Sequence, residues 1–209
     1  VGDVAMQTEL LLIRHGQTEW NTLGKFQGCS DIELAPDGIT QAEYLARHLN
    51  GNFDYIYSSP LKRARKTAEI ISENTGKQPM IANNLREINY GKWEGLTSRE
   101  ILTNYEKEYI RWKTDTEEAP LCGGDLSLKN ACKRARGVLM DIVNKNSHKK
   151  IAVVAHGGII KAGLVALFDW ELSMYHKIVL LNTSVSKIIF DDNLSPMIYT
   201  INDTSHLPK

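Results

Sequence analysis

The apolar positions of this chain fall into two patterns. Leu10-Leu11-Leu12-Ile13 and Ile151-Ala152-Val153-Val154-Ala155 are unbroken apolar runs, as expected of strands buried on both faces of a parallel sheet. Each run leads into a histidine followed by glycine, as Arg14-His15-Gly16 and as His156-Gly157-Gly158. Elsewhere the spacing is helical. Ile39, Ala42, Leu45, Ala46 and Leu49 line one face of a helix that Pro36 can open and that runs to about Leu49. Ala64, Ala68 and Ile71 align after Ser58-Ser59-Pro60, with Gly76 as a C-terminal stop. Leu128, Ala131, Ala135, Val138, Leu139 and Ile142 mark a long helix over 127–144, and another is predicted over 159–168. Short strands are predicted at 53–57, 78–81, 185–190 and 197–201, the last two forming a hairpin through Asp191-Asp192-Asn193.

This alternation predicts an α/β fold: a three-layer sandwich with a mostly parallel central sheet flanked by helices. Residues 86–124 break the rhythm, and carry Trp93, Tyr105, Tyr109 and Trp112. They read as an insertion covering a site, within a single domain spanning 1–209.

Composition narrows the partners. A chain of 209 residues is long enough for one sizeable core. Its 25 basic and 25 acidic side chains cancel, which gives no reason to expect nucleic acid or an anionic membrane surface. No apolar run approaches the ~20 residues of a membrane span. Cys29, Cys122 and Cys132 are odd in number and widely spaced, without a CxxC pair. They suggest neither a disulfide framework nor a metal site, and favour a reducing, cytoplasmic setting. Residues 1–5 lack the basic and apolar regions of a signal peptide, and read as a remnant ahead of a native start at Met6.

Candidate chemistry gathers at the strand ends, where open α/β sheets bind ligands. Arg14 offers a planar fork for phosphate or carboxylate oxygens. Gly16 permits close backbone approach, and neutral imidazole, as in His15, is a competent nucleophile towards phosphorus. After the next strand, Lys62, Arg63, Arg65 and Lys66 crowd a helix start, where the dipole disfavours cations. Arg63, one residue before apolar Ala64, is the one expected to point inward; the others suit a solvated face. Further on, Glu87 and Glu94 each qualify as a proton donor, because a carboxyl beside a bound phosphate can keep its proton.

The set Arg14-His15-Gly16, Thr18, Trp20-Asn21, Phe26-Gln27-Gly28, Asp31, Leu34, Gly38, Ser58-Ser59-Pro60, Arg63-Ala64, Thr67-Ala68, Glu87, Gly91, Trp93-Glu94-Gly95 and His156-Gly157 resembles the histidine phosphatase superfamily, also called phosphoglycerate mutase-like. By that resemblance His15 is a nucleophile that becomes phosphohistidine. Arg14, Arg63 and His156 surround the phosphate, and Glu87 is the proton donor. Asn21, Gln27 and Gly28 contact phosphate or substrate. The resemblance implies no metal and no other cofactor, and a small-molecule phosphomonoester as partner.

The short stretch 89–97 is similar to the phosphatase branch rather than to cofactor-dependent mutases. The wording of 86–96 and 26–28 is similar to α-ribazole-5′-phosphate phosphatases of cobalamin synthesis and to broad-specificity phosphatases. A catalytically silent phospho-ligand module is the alternative outside enzymes, and the presence of His15, Arg14, Glu87 and His156 speaks against it. One departure stands out. Many members have Gly-Glu-Ser before the long helix, whereas this chain has Gly123-Gly124-Asp125-Leu126-Ser127, where Asp125 or Ser127 suits an N-cap. His48, His148 and His176 read as surface or structural, and His206 as close to the site.

Overall fold

The structure is a computed structural model that describes residues 7–208; the readings of residues 1–5 fall outside it. Its elements, in chain order, are β1 (Thr8–Arg14), α1 (Glu19–Thr22), α2 (Pro36–Leu49), β2 (Tyr55–Ser58), α3 (Lys62–Ser72), β3 (Met80–Ile81), α4 (Ser98–Asn104), α5 (Glu106–Thr114), α6 (Leu128–Lys145), β4 (Lys150–Ala155), α7 (Gly157–Leu167), β5 (Val185–Phe190) and β6 (Pro196–Asp203). The six strands form one sheet in the order β3-β2-β4-β1-β5-β6. The first four are parallel neighbours, and the β5–β6 hairpin adds two antiparallel strands.

Strand periodicity makes the two-sided core. In β1, Leu10 and Leu12 join Ile151 and Val153 against α6 and α7, while Leu11 and Ile13 join Ala152 and Val154 against α2 and α3. The runs Leu10–Ile13 of β1 and Ile151–Ala155 of β4 are therefore apolar at every position, because each face meets a helical layer. Register then positions the chemistry. Arg14 is paired with Ala155 in the parallel β1–β4 ladder, so the next residue on each strand, His15 and His156, emerges at the same edge.

The α2 helix spans the predicted residues, with Asn50 ending it in the left-handed conformation at φ 46°. The α3 helix stops at Ser72, four residues short of Gly76, where the Thr75 hydroxyl caps the Ser72 carbonyl at 2.7 Å. The α7 helix starts two residues earlier than predicted, with His156 itself as N-cap.

The larger correction concerns residues 86–124, which contain α4, α5 and a 3₁₀ turn at Gly91–Trp93. The α4 start is a capping box in which Thr97 and Glu100 exchange bonds to each other's backbone N–H. Trp93 and Trp112 pack at 5.4 Å between ring centroids and Trp93 and Tyr109 at 5.9 Å, all three buried. These helices are too short for their apolar spacing to register, and their aromatics cluster around one another.

Candidate active site

His15 is buried at the end of β1. Its Nδ1 lies 2.6 Å from the Gly16 carbonyl, and the Arg63 Nε–H points at its Nε2 from 3.3 Å. A carbonyl can only accept and a guanidinium can only donate. The proton therefore sits on Nδ1, and Nε2 carries the lone pair, which accepts from Arg63. Burial, followed by the charges of Arg63 and Arg14, holds the His15 pKa well below its usual value, so the ring is neutral at pH 7. A neutral imidazole with one nitrogen fixed as donor and the other as lone pair is a nucleophile in its reactive form.

Three cationic or potentially cationic groups surround it. Arg63, fully buried as the first turn of α3 comes under the sheet edge, spends Nη1 on the Ser30 carbonyl and Nη2 on the Gly28 carbonyl, both at 2.7 Å. Lys62, Arg65 and Lys66 are exposed. Arg14 is tied to the Leu180 carbonyl at 2.6 Å through Nη1. His156 stands 5.2 Å from the His15 ring, with Nε2 at 2.6 Å from the Ser59 hydroxyl. Burial and the Arg63 charge lower its pKa well below the usual value too.

Arg14 Nε and His156 Nδ1 are buried and find no hydrogen-bond partner among the described residues. Leaving such groups unpaired costs about 1–3 kcal/mol each. An oxyanion at this place would accept from the Arg14 N–H, and from His156 when its proton is on Nδ1, and charge-assisted bonds from guanidinium would be the strong kind.

The two carboxylates separate. Glu87 lies on the wall of the same cavity as Arg14, His15 and Arg63. It accepts N–H bonds from Gly158 at 2.9 Å and Ile159 at 2.7 Å in the first turn of α7, and from Ile88 at 2.8 Å. Gly158 is required there: a Cβ would stand 2.4 Å from the Tyr90 hydroxyl and 2.6 Å from Glu87 Oε1. Glu94 is directed elsewhere. It binds the N–H of Cys29 and of Tyr90 and the Ser30 hydroxyl, bracing the loop whose carbonyls hold Arg63.

The cavity holds about 440 Å³. Asn21, Gln27 and Gly28 line it. Asn21 closes the α1 capping box with Thr18, and its side-chain oxygen also accepts from Asn182, which in turn donates to the His15 carbonyl at 3.0 Å. Gln27 accepts from Thr18 at 2.9 Å. All the site residues expected from sequence thus converge on one place.

The outer wall is formed by Lys113, Lys161, Tyr90, Trp112, Tyr175 and His176, of which only Trp112 stood out in the sequence, among the aromatics of 86–124. His176 is therefore a cavity residue rather than a surface one, half-buried against the Trp112 carbonyl and its pKa pushed down to about 4 by burial. His206 bonds Thr183, whose N–H reaches the Arg14 and His15 carbonyls, so it stands one residue behind the site. Lys161 could have been found: it lies four residues after Gly157, on the same helical face. Its Nζ sits 4.1 Å over the Tyr175 ring, and burial lowers its pKa to about 8. Among the described residues it forms no ion pair, and no three His, Cys, Asp or Glu side chains are gathered as a metal would require. No helix of the described residues is long and apolar enough to cross a membrane.

Residues 10–204 match the histidine phosphatase superfamily (branch 1). A relative from Hydrogenobacter thermophilus, phosphoserine phosphatase 1, is 32% identical over 200 residues, covering 95% of this chain and 94% of that protein. A crystal structure of a phosphoserine phosphatase mutant from Entamoeba histolytica, in complex with phosphoserine, superposes with a TM-score of 0.90 at 40% identity, covering 96% of this chain and 100% of that one. A candidate α-ribazole-5′-P phosphatase of Escherichia coli superposes with a TM-score of 0.82 at 25% identity, over 94% of this chain and 97% of that one.

Proposed function

Because the chain belongs to the histidine phosphatase superfamily, branch 1, we propose that it is a metal-independent phosphomonoesterase working through a phosphohistidine on His15. The observation that carries this reading is the His15 Nε2 lone pair, directed by the Gly16 carbonyl and Arg63, beside an unpaired N–H of Arg14 and an unpaired ring nitrogen of His156. In the first step Nε2 bonds to phosphorus, the ester P–O bond breaks, and Glu87 gives its proton to the leaving oxygen. In the second, water attacks phosphorus, the N–P bond breaks, and the water proton returns to Glu87. Arg14 and Arg63 neutralise the phosphoryl group in flight and His156 hydrogen-bonds it, which is most of what such a reaction asks of a protein. Asn21, Gln27 and the Gly28 backbone position the substrate. Residues 86–124 act as the cover of the site within one domain.

For the substrate we favour a small phosphomonoester that carries a second acidic group, phosphoserine first. Lys113 and Lys161 supply cations beyond those around His15, and two relatives bear that name. α-Ribazole 5′-phosphate is the second reading, supported by the aromatic wall and by the Escherichia coli neighbour. The aromatics favour it less, since Trp112 is already packed edge-on against Tyr90 and Tyr175. Three free thiols suit a cytoplasmic setting.

Rapid quench with labelled phosphoserine, worked up in alkali, should trap acid-labile label on His15, and His15→Ala should abolish both label and turnover. Normal turnover by that variant would reject the mechanism. Hydrolysis should also survive exhaustive chelation, and loss of activity restored by Mg²⁺ or Zn²⁺ would reject metal independence. Comparing kcat/KM for phosphoserine with that for α-ribazole 5′-phosphate ranks the two substrates. Transfer of the phosphoryl group to a second phosphoglycerate rather than to water would mark a mutase instead.

A further inference from the structure

The departure at Gly123-Gly124-Asp125-Leu126-Ser127 has a structural answer. Ser127 is the N-cap of α6, accepting from the Asn130 N–H at 3.2 Å. Asp125 is thereby released for another task. Its carboxylate takes Arg86 in a two-pronged grip at 2.8 and 3.1 Å, Arg134 of α6 at 2.9 Å, and the Asn89 N–H at 2.8 Å. The remaining guanidinium N–H groups converge on the chain around the proton donor. Arg134 reaches the carbonyls of Asn84 and Arg86 at 2.8 Å and of Glu87 at 3.3 Å, and Arg86 reaches the Glu87 carbonyl at 3.2 Å. Backbone contact completes the strap: Asp125 N–H bonds the Asn89 carbonyl at 3.0 Å, and a Cβ on Gly124 would fall 2.1 Å from that same oxygen.

Residues 86–90 carry no helix or strand to fix them, so these side-chain bonds do what a sheet ladder does for His15. We propose that Asp125 is a positioning residue for the acid–base step: through Arg86 and Arg134 it fixes the main chain of Glu87, and hence the reach of its carboxyl to the leaving oxygen. Asp125 does not line the cavity, so its carboxylate acts through Arg86 and Arg134 rather than on the reacting atoms. This rests on Glu87 being the proton donor.

The test is the leaving-group dependence of Asp125→Asn, which keeps the shape and removes the charge. An alkyl phosphate such as phosphoserine needs the proton at its leaving oxygen, and para-nitrophenyl phosphate hardly does. The ratio of aryl to alkyl kcat should rise roughly 10- to 100-fold, the scale of a small misplacement of a reacting group. In a Glu87→Gln background the same substitution should leave that ratio unchanged. Equal losses on both substrates would mean that Asp125 only holds the fold together and would overturn the proposal. A rise that persists in the Glu87→Gln background would overturn it too, because Asp125 would then act by another route. If Glu87→Gln alone shows no leaving-group contrast, the error lies in the proton-donor assignment and the proposal goes with it. Arg134→Gln cuts the same link from the α6 side and should show the same ratio change, giving a second reading should Asp125→Asn fold poorly.

Discussion

The two halves of the site are built by opposite means. His15 and His156 stand on adjacent parallel strands whose register fixes them side by side, with apolar neighbours on both sheet faces. Glu87 lies in a segment without regular structure, held by three backbone N–H bonds to its carboxylate and by two arginines on its main chain. A nucleophile positioned by a strand ladder inherits the rigidity of the core. An acid positioned by polar side chains can be displaced by one substitution without unfolding the sheet. Phosphoryl capture should therefore be robust to changes away from the strand tips, and protonation of the leaving group should be the fragile half.

The sharpest way to separate the halves is at Glu87 itself. Glu87→Gln should cost on the order of 10²–10⁴-fold in kcat with an alkyl phosphate, the usual span of general acid catalysis, and clearly less with para-nitrophenyl phosphate. Glu94→Gln should show no such contrast. Its carboxylate braces Cys29, Ser30 and Tyr90, so it should instead lower stability by about 1 kcal/mol in urea unfolding, the cost of impairing a half-buried charged acceptor. A contrast confined to Glu94 would exchange the two carboxylates and dissolve the comparison.

A smaller effect should come from the outer wall. The Lys161 pKa, lowered to about 8 by burial, means that the lysine begins to lose its charge just above neutrality. If it meets the second acidic group of the substrate, kcat/KM for phosphoserine should fall as pH rises through about 8, while that for para-nitrophenyl phosphate keeps its own profile. Lys161→Met should remove the difference and cost about 10-fold with phosphoserine, the worth of one charge-assisted bond. The stability linkage has the opposite sign. The folded value lies below the ordinary 10.5, so between about 8 and 10.5 the unfolded chain binds more protons and stability rises with pH. Identical pH profiles for both substrates would remove Lys161 from recognition.

What could be read from sequence follows the same division. The strands β1 and β4 each carry an unbroken apolar run, so Leu10 to Ile13 and Ile151 to Ala155 announce a buried parallel pair, and their histidines come with them. Arg63 could be singled out from Lys62, Arg65 and Lys66 by its neighbour Ala64. Residues 86–127 withheld their structure, because short helices leave little periodicity and ion pairs across 39 residues, such as Arg86 with Asp125, leave none. Thr97 and Glu100 did carry a capping-box signal. Lys161 was within reach through its spacing from Gly157, whereas His176 was not, because only the packing of the segment after α7 against Trp112 of α5 turns it towards the cavity.

The smallest predicted effect isolates the cost of the polar strap. Between the acid of Asp125 and the cap of Ser127 stands Leu126, in the left-handed conformation at φ 69° and 65% exposed. That geometry lets each neighbour face its own partner, and a side chain with a Cβ opposes it by about 1–2 kcal/mol. The Leu126 N–H and carbonyl bond Gly123 and Leu121, contacts that glycine would keep. Leu126→Gly relieves the conformation but gives the unfolded chain about 0.5–1 kcal/mol of extra backbone freedom. The net should be a gain of up to about 1 kcal/mol, seen as a Tm increase of roughly 1–3 °C for a chain of this size. The aryl-to-alkyl ratio should not change, since the bonds of Asp125 are untouched. A fall in Tm would mean that the leucine side chain supports the loop, and that the strap has more apolar backing than its exposure suggests.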